Sequence, residues 1–80
     1  MCGIVGYLGH KNAVNIVLEG LRRLEYRGYD SAGICLKSAD GQLTSHKRTG
    51  KLINLVDAIK DMDLSSDICI GHTRWASLVY

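Results

Sequence analysis

Cys2-Gly3-Ile4-Val5-Gly6-Tyr7-Leu8 opens the chain as a strand, and the order of helices and strands after it decides the fold. Its apolar residues fall on alternate and on neighbouring positions, which implies cover on both faces of the strand. Gly9, His10 and Lys11 read as a turn. Asn12 is a helix N-cap, and Val14, Val17, Leu18, Leu21 and Leu24 then recur at helical spacing, predicting a helix from Ala13 to about Glu25. Arg22 and Arg23 stand near its C-terminal end, where positive charge suits the helix dipole. After a polar aromatic segment, Tyr26 to Ser31, a strand is expected over Ala32–Lys37. Asp40-Gly41 signals a hairpin of type I′, whose two central residues both take positive φ. Gln42–Arg48 is the returning strand, and Thr49-Gly50 ends it. Leu52, Leu55, Val56 and Ile59 mark a second amphipathic helix ending near Met62, and Asp67–Arg74 a last strand. The order is β-α-β-β-α-β, an α+β chain with at least one antiparallel pair.

Eighty residues allow one small domain. The hydrophobic fraction is 46% and the charged fraction 22%, which is ordinary globular composition and excludes compositional disorder. No apolar run approaches the ~18 residues of a membrane span. A net charge of +2 is too small to argue for nucleic acid. The three cysteines, Cys2, Cys35 and Cys69, are an odd set with no metal-ligand spacing, and Cys35 and Cys69 read as core residues of central strands. With no basic, apolar leader at the start, the expectation is a cytoplasmic protein.

Three blocks could carry chemistry. Cys2 reads either as a small buried strand residue or, once the initiator methionine is trimmed, as an N-terminal residue bearing both a thiol and a free α-amine. An α-amine has an ordinary pKa of roughly 8, suited to general-base work beside its own nucleophile. Arg27-Gly28-Tyr29-Asp30 is either a loop closed by a local ion pair or a loop that positions the nucleophile. Gly71-His72-Thr73-Arg74-Trp75 is either a plain strand end or a substrate site. In the second reading the Arg74 guanidinium meets a carboxylate in bidentate geometry and Trp75 excludes water. His72 itself reads as a structural histidine. His46-Lys47-Arg48 with Lys51 reads as a solvated hairpin face. Thr49-Gly50-Lys51 lacks the serine or threonine and the first glycine of a phosphate loop.

Met1–Tyr7, the block Leu21–Gly33 containing Tyr26-Arg27-Gly28-Tyr29-Asp30-Ser31-Ala32-Gly33, and Gly71–Ala76 together resemble the class II glutamine amidotransferases. Within that family they resemble the branch that converts fructose 6-phosphate to glucosamine 6-phosphate. The purine and asparagine branches carry His-Arg-Gly where this chain has Tyr26-Arg27-Gly28. The resemblance implies an N-terminal-nucleophile αββα sandwich, of which residues 1–76 would be the first part and 77–80 a non-matching tail. It further implies Cys2 as nucleophile on L-glutamine, Arg74 on the glutamine α-carboxylate, Trp75 in a loop over the site, and Arg27 and Gly28 positioning Cys2. It implies no cofactor and no metal. The complete enzyme would add a C-terminal sugar-phosphate isomerase domain, would use fructose 6-phosphate and would form a homo-oligomer. Where the family continues Thr-His-Gly, this chain reads Ser77-Leu78-Val79; Ser77 keeps a hydroxyl for substrate. The family's asparagine–glycine oxyanion hole and substrate aspartate lie further along its sequence, so the 80-residue piece is expected to be nearly inactive. Two alternatives stay open: a non-catalytic fragment or binding module that retains Met1, and another class II enzyme such as phosphoribosyl-pyrophosphate amidotransferase.

Overall fold

The computed structural model describes residues 3–9, 12–25, 30–38, 40–62 and 64–74. Four strands and two helices run in the order β1 (Gly3–Leu8), α1 (Ala13–Arg23), β2 (Ser31–Lys37), β3 (Leu43–Thr49), α2 (Leu52–Ile59) and β4 (Ile68–Arg74). The strands form one sheet, ordered β1-β4-β2-β3, and all three pairings are antiparallel. The last strand therefore inserts between the first and the second. Ile68-Cys69-Ile70-Gly71 is apolar on both sides of the pleat, the composition of an interior strand.

Local sequence fixes the helix starts. Asn12 sits in extended backbone and its side-chain oxygen accepts from the Val14 N–H at 3.2 Å. This satisfies one of the orphan donors of the first turn. The buried stripe Ala13, Val14, Val17 and Leu21 lies against β1 and β4, and Arg22 and Arg23 occupy the last turn. Lys51 precedes α2 without a side-chain cap bond. Asn54 in its first turn instead ties it to β3, donating to the Thr49 carbonyl at 3.1 Å.

Close approach of α1 to β4 depends on Gly71. A Cβ there would lie inside contact distance of Val17 and 2.9 Å from Leu21 Cδ1. Leu21, Ile34, Leu36, Leu55, Val17 and Cys69 are the largest fully buried side chains. Each such aliphatic side chain contributes about 1.5–3 kcal/mol over leaving it in water.

Both helices cover the same face of the sheet. The other face is open, and this corrects the expectation of cover on both sides of β1: Ile4 is 78% exposed and Leu8 75%. Strand alternation sends Val5 and Tyr7 under α1 and sends Ile4 and Leu8 to the opposite side, where the described residues supply no second layer. One α layer and one β layer of an αββα arrangement are thus present.

Two further expectations change. Cys35 is exposed, not a core residue, because its register partner is Ile70 on the open face, whereas Cys69 one step away points under α1. The hairpin is not type I′: positive φ occurs at Gly41 (φ +88°) but not at Asp40. The turn closes by the Gly41 N–H donating to the Ser38 carbonyl at 2.9 Å. Asp40 accepts from the Gln42 N–H at 3.1 Å and from the Ser38 hydroxyl. These bonds, the Ser38 one foremost, hold the Asp40 carboxyl below its ordinary range.

Candidate functional site

Strand register brings Gly3, Asp30 and Arg74, which belong to the three sequence blocks or adjoin them, to one end of the sheet. The first pair of β1 with β4 is Gly3↔Thr73, and the pair of β2 with β4 at the same end is Ser31↔Arg74. Ser31 also faces Thr49 of β3. One end of the sheet therefore collects the start of β1, the end of β4, and Asp30-Ser31 at the start of β2. The backbone is tied there: the Asp30 N–H donates to the Arg74 carbonyl at 2.7 Å, and the Gly50 N–H to the Asp30 carbonyl at 2.6 Å. Main-chain pairing alone thus brings residues far apart in sequence onto adjacent strands.

Arg74 is exposed on the open face. Among the described residues its guanidinium has no ion-pair partner; the ion pair seen is Arg22–Glu19, on the surface of α1 at 3.5 Å. The open face also carries His72 on β4, Lys37 on β2 and Lys47 on β3, and no aspartate or glutamate among its described strand residues. With no ion-pair partner among the described residues, on a face whose described strand residues carry positive charge only, that guanidinium is a ready receptor for a carboxylate.

Gly3 and Gly6 differ. A Cβ on Gly3 would come 2.6 Å from Leu24 Cδ1 and 3.3 Å from Thr73 Oγ1, so Gly3 lets the start of β1 settle against α1 and β4. A Cβ on Gly6 would meet only Ile70 Cγ1, at 4.0 Å, among the described residues.

Of the site residues expected from sequence, Arg74 lies on this end of the sheet. Cys2, Arg27, Gly28, Trp75 and Ser77 fall outside the described residues. Cys2 is the residue before β1, Arg27 and Gly28 lie between α1 and β2, and Trp75 comes directly after β4. Sequence reasoning passed over the pairing of His72 with Gly33 across β4 and β2. The glycine opposite a histidine is visible only once the register is known. No group of three or more metal-ligating side chains occurs among the described residues, and no described helix is long and apolar enough to cross a membrane.

The chain is similar to known proteins. The chain is 56% identical over 77 residues to the glutamine–fructose-6-phosphate aminotransferase (isomerizing) of Thermus thermophilus, covering 96% of this chain and 13% of that protein. The same enzyme of Idiomarina loihiensis is 54% identical, with 96% and 13% covered, and that of Bacteroides thetaiotaomicron 51%, with 96% and 12% covered. The chain thus spans about an eighth of the length of the curated relatives it matches. No protein-family model matches it. Among solved structures, one described as the allosteric regulatory enzyme of purine biosynthesis superposes with a TM-score of 0.78 at 32% identity, over 91% of this chain and 16% of that one. The glutamine phosphoribosylpyrophosphate amidotransferase from B. subtilis gives 0.79 at 31% identity, over 92% and 16%.

Proposed function

We propose that this chain is the opening part of a glutamine-hydrolysing domain, since it matches the N-terminal region of the glutamine–fructose-6-phosphate aminotransferases over nearly all its length. The observation that carries this reading is the meeting of the start of β1 with the end of β4. The pair Gly3↔Thr73 is one residue from Cys2 on one strand and one residue from Arg74 on the other. The α-carboxylate of glutamine would bind Arg74, and the side-chain amide would extend toward the chain start.

In this reading the Cys2 thiol gives its proton to its own α-amine and the sulfur attacks the amide carbon. The C–N bond breaks, the α-amine returns the proton to the leaving nitrogen, and ammonia departs from a γ-glutamyl thioester. Water then hydrolyses the thioester to glutamate and restores the thiol. Arg27 and Gly28 would orient the α-amine; Trp75 and Ser77 would close over the substrate. In the complete protein the ammonia would pass to a sugar-phosphate isomerase domain acting on fructose 6-phosphate. The sugar-phosphate branch is favoured over the purine one because the identities are 51–56% against 31–32%.

Glutamate release by the full-length polypeptide that carries this segment tests the proposal. Cys2→Ala is expected to abolish it. Arg74→Ala is expected to raise the KM for glutamine by about 10- to 100-fold, the worth of a charge-assisted bond of about 1.5–3 kcal/mol. Unchanged glutaminase activity in Cys2→Ala would refute the assignment.

A further inference from the structure

We propose that His72, seated on Gly33, is a positioning residue for the glutamine site; the role rests on the glutaminase reading above. His72 is half-buried although it lies on the open face of the sheet. The reason is its neighbour. His72 pairs with Gly33 on β2, and a Cβ at Gly33 would stand 2.6 Å from His72 Nε2 and 3.2 Å from Cε1. The imidazole therefore occupies the space that any other residue at position 33 would fill. On its other side His72 pairs with Ile4 of β1.

Among the described residues no hydrogen bond reaches the His72 ring, and its close seat on Gly33 is one of shape. The next pair along β2 and β4 on this face is the Ser31↔Arg74 rung. The ring is thus the floor of the space beside Arg74, between β1 and β3, with the aliphatic side chain of Ile4 on one flank and Lys47, the partner of Gly33 on β3, on the other. A small amino acid held by Arg74 rests against that floor. His72 acts on the substrate through where it lets the molecule lie.

The steric geometry supplies a test by suppression. Gly33→Ala drives a methyl group into the ring, and the His46 carbonyl oxygen, 3.1 Å from the same point, crowds that methyl group further. In the full-length polypeptide, Gly33→Ala is expected to raise the KM for glutamine about tenfold, with kcat changed by less than about threefold, as displacement of a bound substrate demands. His72→Ala is expected to raise KM by a smaller factor, about three- to fivefold. The double variant is expected to match His72→Ala, because removing the ring frees the space for the methyl group. Folded single variants with the parent KM, or a double variant worse than either single, would overturn the proposal. A wild-type protein with no Cys2-dependent glutaminase would instead sink the underlying functional reading, and the positioning role with it.

Discussion

The two faces of the sheet should respond to mutation in opposite ways. Leu21 and Leu55 are fully buried between helices and sheet, whereas Ile4, Leu8 and Ile70 on the far side are 78%, 75% and 54% exposed. Truncating a buried leucine to alanine costs about 2–5 kcal/mol in transfer and cavity terms. An 80-residue domain has a total stability of roughly 4–12 kcal/mol, so Leu21→Ala or Leu55→Ala removes a large share of it. On the open face, full burial would be worth about 1.5–3 kcal/mol per side chain, and Ile4 has realised only about a fifth of that. Ile4→Thr and Leu8→Thr are therefore expected to cost about 0.3–0.8 kcal/mol each, and Ile70→Thr about 1 kcal/mol. Threonine has the β-branched shape that strands favour. Urea unfolding of the 80-residue polypeptide, monitored by far-ultraviolet circular dichroism, measures each change as a shift in midpoint at constant slope. Open-face variants costing more than about 2 kcal/mol, beside helix-side variants costing less than about 1, would refute the assignment of the core.

Other consequences concern single side chains. The buried Thr44 hydroxyl oxygen has no hydrogen-bond partner among the described residues, so Thr44→Val is expected to stabilise by about 1 kcal/mol and raise Tm by about 4–8 °C in a thermal melt. Burial pushes the Cys69 thiol up to about 11, with neighbouring Cys35 adding to the effect. The unfolded chain releases this proton near the ordinary thiol value of about 8.5 while the folded chain keeps it. Stability linked to Cys69 is therefore complete below that value and falls as pH rises from there toward 11; the alkaline loss should vanish in Cys69→Ala, after correction for its lost volume. In the native protein, iodoacetamide should modify exposed Cys35 and spare buried Cys69.

Much of the local structure was legible in the sequence, and the reason is periodicity. Val14, Val17 and Leu21 announce α1, Leu52, Leu55 and Ile59 announce α2, and Asn12 marks a helix start by the chemistry of its side chain alone. What escaped depends on pairing between distant segments. That β4 enters between β1 and β2 is settled by Gly71 admitting α1 and by the two-sided apolar run before it, neither of which names a partner strand. The fate of Cys35 came from the same gap: alternation tells which residues share a face, but not which face the helices cover. In the hairpin, Asp-Gly was a sound turn signal whose type was decided by the length of the loop and by the Ser38 and Asp40 bonds. At the site, Arg74 could be singled out from its chemistry, while the role of Gly33 needed the register that sets it beneath His72.

The proposed chemistry requires residue 2 to carry sulfur and base on one terminal unit within reach of a substrate held by Arg74. Peptide mapping after treating the full-length protein with a glutamine-mimicking electrophile tests it most directly. A single adduct is expected on an N-terminal peptide beginning at Cys2, suppressed by excess glutamine. An adduct on Cys35, or an N-terminal peptide still beginning at Met1 in protein that hydrolyses glutamine, would contradict it.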